Sequence, residues 1–89
     1  FVALPGGIGT LDELFEAWTW NALGYHAKPF CLLDVHGFWR GLDLFMDHVS
    51  DSGFLSHARR QQLLFAHTPS EAIDRLDAAA AAATQGMVW

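Results

Sequence analysis

The sequence predicts a parallel α/β sheet with flanking helices, built from three strand–helix units. Short apolar runs, typical of buried strands, alternate along the 89 residues with longer segments whose apolar residues recur at helical spacing. A glycine-rich stretch joins the first run to the first helix, as at the carboxyl end of a parallel strand. The hydrophobic fraction of 52% indicates a packed core rather than disorder.

The first unit combines a strand, a glycine loop and a helix. The run FVAL at residues 1–4 is the predicted strand, and PGGIGT follows it. The helix is expected from Thr10 to about Leu23, where Gly24 can end it. Thr10 and Glu13 have the spacing of a capping box, in which the two side chains would bind backbone N–H groups of the first helical turn.

The second unit repeats this order. FCLLD at residues 30–34 is the predicted strand, and its apolar composition indicates burial. The helix is expected from Phe38 to about Ser52, before Gly53. The apolar positions expected on its buried stripe are Phe38, Leu42, Phe45 and Val49.

The third unit follows a connector at residues 54–61, for which a short helical turn is an option. LLFA at residues 63–66 is the predicted strand. TPSE at residues 68–71 starts the last helix, because threonine is a suitable N-cap, proline suits the first helical position and glutamate completes a capping box. The helix is expected to run through the alanines, with residues 84–89 as a loose tail.

Composition excludes several classes of function. A net charge of −5 with five scattered basic residues gives no surface for nucleic acid. No apolar run approaches the length of a membrane span, so no membrane partner is expected. The single cysteine, Cys31, excludes an internal disulfide framework, suits a reducing cytoplasm and is expected to be buried. The five histidines lack close metal-ligand spacing, so no metal site is expected.

Three strands are too few for a stable doubly wound sheet. The first strand is apolar and enters a glycine loop, so neighbours are expected on both of its sides. The sequence therefore predicts that residues 1–89 are the C-terminal half of a single domain, and that the N-terminal half lies upstream of Phe1.

PGGIGT has the features of an anion site. Gly6 and Gly7 let backbone N–H groups approach a ligand, and Gly9 and Thr10 begin a helix whose first N–H groups carry partial positive charge. No lysine follows the glycines, which excludes a P-loop. The alternative is that the glycines only form a tight turn. Glu13 is likewise either a helix cap or a carboxylate directed at the ligand.

PGGIGTLDE, residues 5–13, resembles the P-G-G-x-G-T-x-x-E signature of the Lonely Guy (LOG) family of cytokinin riboside 5′-monophosphate phosphoribohydrolases. The likeness continues through TWNALGYHAKPFCLLDVHGFW, GFLS and ARRQ, and so covers almost the whole chain. The resemblance implies a Rossmann-like fold and an enzyme without a cofactor. Its substrate would be a cytokinin or adenosine-type nucleoside 5′-monophosphate, hydrolysed at the N-glycosidic bond to free base and ribose 5-phosphate.

The resemblance also assigns roles to residues. Glu13 would be catalytic, stabilising positive charge on the ribose and orienting or deprotonating the attacking water. The residues implied to bind the 5′-phosphate are Gly6, Gly7, Ile8, Gly9 and Thr10. The family's frequent label of lysine decarboxylase finds no support here, since the only lysine, Lys28, lies in a loop.

The resemblance is incomplete in one respect. The family also uses an arginine and a second glycine-rich loop upstream of its signature, and residues 1–89 contain neither, so the isolated chain is expected to be inactive. The alternative function is a non-catalytic Rossmann-like protein that binds a nucleotide or a molybdenum cofactor.

The family resemblance implies a homodimer or a higher homo-oligomer. Trp18 lies on the apolar stripe of the first helix and is expected in the core, whereas Trp20 projects elsewhere, toward a partner surface. Stacking on a base is the alternative for both. Arg59 and Arg60 are expected to be solvated, with a role at the pocket rim or in a dimer contact as the alternative.

Overall fold

The computed structural model of the chain describes residues 1–24 and 28–86, and the side chains up to residue 81. Strands and helices alternate in the predicted order, with one additional short helix before the last strand. The elements are β1 Val2–Ala3, α1 Ile8–Ala22, β2 Phe30–Leu33, α2 Arg40–Asp51, α3 His57–Gln61, β3 Leu63–Ala66 and α4 Pro69–Gly86.

The three strands form one parallel sheet in the order β1–β2–β3. Ala3 lies opposite Leu32, and Phe30 lies opposite Leu63. This parallel sheet with flanking helices confirms the predicted α/β, Rossmann-like arrangement. Within the described residues β1 has a neighbour on one side only, so it forms an edge of the sheet.

The sheet separates two packed layers. Alternate residues of a strand point to opposite faces, so Phe30 and Leu32 pack on one side and Cys31 on the other. The first face joins α1 and α2 in a cluster of Ala3, Leu14, Trp18, Phe30, Leu32, Trp39, Met46 and Leu63. On the other face α4 packs on β2 and β3.

Cys31 belongs to the smaller cluster under α4. It is fully buried with Ala66 and Ala72, which confirms the predicted burial. Burial raises the pKa of the Cys31 thiol, because the thiolate would lose its hydration. The thiol is therefore a packing group.

Helix α1 begins two residues earlier than predicted. Gly7 is the N-cap, and the Leu11 N–H donates to the Gly7 carbonyl at 3.1 Å. Thr10 is the third helical residue, so the predicted capping box of Thr10 and Glu13 is wrong. Glycine is accepted at the N-cap, and here it lets the chain turn into the helix directly after the loop. Gly24 has a φ of +83° after the C-cap, which confirms it as the helix end.

Helix α2 also differs from its predicted form. It starts at Arg40, and Phe38 and Trp39 lie in the preceding turn, where the Trp39 N–H donates to Asp34 Oδ1 at 2.9 Å. Trp39 enters the core in place of Phe38, and Met46 in place of Phe45. Phe38 and Phe45 are more than half exposed, which corrects the predicted stripe. The residues that pack inward are Trp39, Leu42, Met46 and Val49.

The last two helices both have side-chain caps. Ser56 Oγ accepts from the Arg59 N–H at 3.2 Å and caps α3, the helical turn predicted as an option in the connector. Thr68 Oγ1 accepts from the Glu71 N–H at 3.2 Å, which confirms the predicted N-cap of α4. The Glu71 carboxylate binds the His67 N–H, one residue before the cap.

Helix α4 is longer than predicted and continues to Gly86. The remainder of the expected tail, residues 87–89, lies outside the described residues, as does His26. No helix within the described ranges combines the length and apolar character needed to cross a membrane.

The prediction that Arg59 and Arg60 are solvated is wrong. The Arg60 side chain is only 14% exposed; it binds Asp43 and Asp47 of α2, the latter at 2.8 Å. Arg59 donates to the Ala22 carbonyl at 3.2 Å, at the end of α1. Helix α3 therefore joins the end of α1 to the middle of α2. The short motif ARRQ does not reveal these contacts.

Candidate active site

The candidate site lies at the carboxyl edge of the sheet. Residues 4–7 leave β1 there, Asp34 follows β2 and His67 follows β3. Ligands of open α/β sheets bind outside this edge, because loops and helix N-termini meet there. The predicted phosphate residues are therefore in the region of the fold where a ligand is expected.

Gly6 packs directly against the side chain of Thr10. A Cβ atom at this position would lie 2.3 Å from Thr10 Oγ1 and 3.1 Å from Thr10 Cβ. The Thr10 side chain is thus folded back over the Cα of Gly6 and directed toward the loop. In contrast, a Cβ at Gly7 or Gly9 would meet nothing within 4 Å. Packing within the chain does not explain these two glycines.

The start of α1 offers unpaired N–H groups. Leu11 makes the first helical hydrogen bond, to Gly7, so the N–H groups of residues 8–10 have no acceptor within the helix. Gly7, Ile8 and Gly9 are exposed, Ile8 at 87%, and Thr10 is half-buried. The positive end of the helix is therefore accessible from solvent, as an anion site at a helix N-terminus requires.

Glu13 lies three residues after Thr10, about 4.5 Å farther along the helix axis. Its carboxylate is exposed and makes no hydrogen bond or ion pair with any described residue. It lines an open cavity of about 470 Å³ together with Phe1, Glu16, Ala17 and Trp20. Because capping does not engage it, the carboxylate is available to a ligand.

Asp34 and His67 are the residues at this edge that the sequence analysis missed. Asp34 Oδ1 accepts from the Trp39 N–H, and its Oδ2 lies 4.0 Å from His67 Nδ1. Both line a separate cavity of about 340 Å³ beside Arg40 and Asp43. Both residues could have been identified from their position in the sequence, because each lies at or directly after the end of a predicted strand. The Asp34 side chain is 12% exposed and fixes the turn before α2.

The two tryptophans of α1 face different surroundings. Trp18 is 6% exposed, and its Nε1–H donates to Gln62 Oε1 at 3.1 Å, which confirms the predicted core position. Trp20 is 44% exposed and lines the cavity of Glu13. Its predicted role at a partner surface stays a prediction.

The described part of the chain contains no group of three side chains that could hold a metal ion.

Comparison with known proteins agrees with the signature. A family model described as "Possible lysine decarboxylase" matches residues 1–76. The chain is 46% identical over 77 residues to the cytokinin riboside 5′-monophosphate phosphoribohydrolase LOG4 of Arabidopsis thaliana, which covers 86% of the chain and 36% of LOG4. A rice (Oryza sativa subsp. japonica) protein named "Probable cytokinin riboside 5′-monophosphate phosphoribohydrolase LOGL3" gives the same identity and coverage.

The rice phosphoribohydrolase LOG is 40% identical over all 89 residues, which correspond to 37% of its length. The chain thus spans about a third of the length of the curated relatives it matches. The family model covers most of the chain and begins at its first residue. The chain therefore belongs to the LOG family, whose model carries the description "Possible lysine decarboxylase".

Proposed function

We propose that the full-length protein hydrolyses the N-glycosidic bond of a cytokinin or adenosine-type nucleoside 5′-monophosphate, giving free base and ribose 5-phosphate. The observation that carries the proposal is the unengaged Glu13 carboxylate one turn from the accessible start of α1. The names of the matched relatives support the same reaction. The decarboxylase description has no comparable support, since Lys28 is the only lysine.

The glycine loop would bind the 5′-phosphate. Unpaired N–H groups at residues 8–10 and the positive end of the α1 dipole favour a dianion there. The Thr10 hydroxyl, folded back over Gly6, would add a donor. Gly7 and Gly9 would allow the phosphate to approach the backbone, which explains glycines that packing does not require.

Glu13 would act on the sugar. Departure of the base builds oxocarbenium-like positive charge at the ribose ring, and a nearby carboxylate stabilises that charge. The same carboxylate can orient the attacking water and accept its proton. Since Glu13 lies about 4.5 Å beyond Thr10 along the helix, phosphate and ribose would lie in sequence on α1.

We also propose that residues 1–89 are the C-terminal part of one LOG-type domain. The edge position of β1 supports this, because parallel strands are normally covered on both sides. Phe1, Val2 and Leu4 around this strand are 40% or more exposed. An upstream strand beside β1 would cover them and bring further phosphate-binding groups to the carboxyl edge.

A cytoplasmic homodimer completes the proposal. A lone buried cysteine suits a reducing compartment. An apolar groove of about 230 Å³ between α1, α2 and α3, lined by Phe15, Met46 and Leu55 among others, offers a surface for a second copy. Phe45 on α2 and Phe54 after it add exposed apolar area.

The test is Glu13→Gln in the full-length protein, with AMP as substrate. We expect kcat to fall by about 10²–10⁴-fold, the usual contribution of a general acid or base. Ribose 5-phosphate affinity and Tm should stay the same, because Glu13 makes no contact within the described chain. Asp12→Asn is the matched control: an exposed neighbouring carboxylate that does not line the cavity.

Unchanged hydrolysis by Glu13→Gln would contradict the catalytic assignment. A loss of activity that follows a fall in Tm would instead give Glu13 a role in helix stability. If the wild-type protein binds AMP without cleaving it, the non-catalytic nucleotide-binding alternative replaces the enzyme.

A further inference from the structure

One face of α1 carries a second carboxylate beside Glu13. Glu13, Glu16, Ala17 and Trp20 stand at positions i, i+3, i+4 and i+7, which lie on the same side of a helix. With Phe1 they line the single open cavity of about 470 Å³ described above. The proposed reaction uses Glu13 and leaves Glu16 and Trp20 without a role.

These side chains are ordered along the helix axis as the parts of a nucleotide are ordered. A rise of about 1.5 Å per residue puts Glu16 about 4.5 Å beyond Glu13, and Trp20 about 6 Å beyond Glu16. With the phosphate at the start of α1 and the ribose at Glu13, the next group along this face is the base. Glu16 and Trp20 therefore line the part of the cavity that the base would enter.

Glu16 has no structural task that would explain it. It is exposed and makes no hydrogen bond or ion pair with the described residues. Glu16 therefore differs from Asp47, which binds Arg60, and from Glu71, which binds Arg75. No basic side chain lines the cavity of Glu16 within the described residues. Its carboxylate is thus an acceptor directed at a solvent-filled space.

Trp20 gives an independent reason to expect a planar ligand. Its indole is 44% exposed and lines the same cavity. A base can stack on an exposed aromatic ring, and such stacking does not discriminate among bases. Discrimination would then fall to the polar neighbour, Glu16.

We propose that Glu16 determines base specificity by accepting a hydrogen bond from the exocyclic amino group of a 6-aminopurine stacked on Trp20. A carboxylate is only an acceptor, so a 6-oxopurine would bring O6 against it with no proton between them. Such a mismatch leaves polar groups unpaired and lowers kcat/KM for the wrong base. The inference rests on the proposed function, because it requires a nucleotide bound along α1.

The test compares AMP with IMP, which carries an oxo group at C6, as substrates of the full-length protein. Glu16→Gln replaces an acceptor with an amide that can also donate to O6. The AMP-to-IMP ratio of kcat/KM is expected to fall by roughly tenfold, with Tm unchanged. Asp12→Asn, on the same helix but outside the cavity, should leave the ratio as in the wild type.

An unchanged ratio in Glu16→Gln, or an equal loss for both substrates, would overturn the inference. An equal fall of the AMP-to-IMP ratio in Asp12→Asn would also overturn the inference, because the loss of any negative charge on α1 would then explain the change. Should Glu16→Gln not fold, Glu16→Asp keeps the charge, draws it back by one methylene and is expected to lower the same ratio. If the wild type cleaves neither nucleotide, the proposed hydrolysis is wrong, but the inference about base specificity can still be tested. The affinities of the wild type and of Glu16→Gln for AMP and IMP, measured by calorimetry, then replace kcat/KM in the comparison.

Discussion

At the scale of single residues, the glycines of the loop divide into two kinds. Gly6 has no room for a side chain, because its Cβ would lie 2.3 Å from Thr10 Oγ1, whereas Gly7 has open space. We expect Gly6→Ala to cost about 1–3 kcal/mol of unfolding free energy, as overpacking does. Gly7→Ala should cost less, at most about 1 kcal/mol, because a Cβ there meets nothing within 4 Å and only the poorer fit of alanine at an N-cap remains. Chemical denaturation of both variants measures the difference.

The contrast between the two variants is the informative quantity. Equal stabilities for Gly6→Ala and Gly7→Ala would show that Thr10 rotates away without cost, and the proposed placement of its hydroxyl would fail. Gly7→Ala is also expected to weaken phosphate binding while keeping the fold, because the added methyl group stands where the anion would approach.

Single residues could be predicted from the sequence where their partners are close in the chain. The glycine loop, the Thr68 cap and the core position of Trp18 follow from local spacing. Arg60 could not be assigned in this way, because its carboxylate partners come 17 and 13 residues earlier. The sequence also left Glu13 ambiguous. In the structure α1 starts at Ile8, directly after the N-cap Gly7, and this start removes the capping box.

At the scale of elements, Arg60 connects α3 to α2 and to the sheet. Its guanidinium binds Asp43 and Asp47 and lies 5.9 Å from the centre of the Phe65 ring. Both carboxylates are partly exposed, so we expect Arg60→Met to cost only about 1–2 kcal/mol of unfolding free energy. Arg40→Met removes an exposed arginine of α2 with no partner among the described residues, and is the control.

A cost in Arg40→Met equal to that in Arg60→Met would mean that overall charge, not the contacts of α3, determines the effect. Added salt measures how much of the Arg60 contribution is electrostatic, because the part that comes from the exposed carboxylates should decline as ionic strength rises.

The cap of α4 gives an element with a defined pH response. The hydrogen bond from the His67 N–H, followed by that from Arg75, holds the pKa of Glu71 below its ordinary value of 4.5. The ionised form is therefore favoured in the folded state, and its contribution is present above pH 4.5 and lost as the pH falls through the lower folded pKa. Glu71→Gln should destabilise the protein at pH 7 but much less near pH 3.

Denaturant unfolding at the two pH values measures this difference. Asp74→Asn, an exposed carboxylate of the same helix without a partner in the described residues, shows the effect of losing charge alone. A Glu71→Gln penalty that is the same at both pH values would assign the effect to the uncharged hydrogen bond.

The order and type of the elements could be predicted, but their ends and faces could not. Apolar runs and helical spacing identify three strands and three long helices. Whether Phe38 or Trp39 enters the core depends on the turn before α2. The hydrogen bond from the Trp39 N–H to Asp34 holds this turn, and the spacing of apolar residues does not show that bond. For the same reason the short α3 was only an option, since its cap and its partners on α1 and α2 are tertiary contacts.

At the scale of the whole molecule, the candidate site lies beside an open edge. Glu13 lines a cavity together with Phe1, which directly precedes β1. In the described sheet β1 has a neighbour on one side only. The N–H groups at the start of α1 can bind an anion, but no arginine or lysine among the described residues lines the cavity with Glu13. The part of the site that the structure describes thus offers N–H groups for a phosphate and a carboxylate for the sugar, and no cationic side chain lines its cavity.

This arrangement leads to an expectation for residues 1–89 expressed alone. Without a cation near the phosphate and without a second wall to exclude water, the Glu13 carboxylate would stabilise charge in a high-dielectric surrounding, where its effect is small. We expect no hydrolysis of AMP above the uncatalysed rate, while the full-length protein is active and loses that activity with Glu13→Gln. Release of ribose 5-phosphate measures both. Turnover by residues 1–89 that Glu13→Gln abolishes would show that α1 and its loop form a complete site, and that the edge beside β1 serves stability alone.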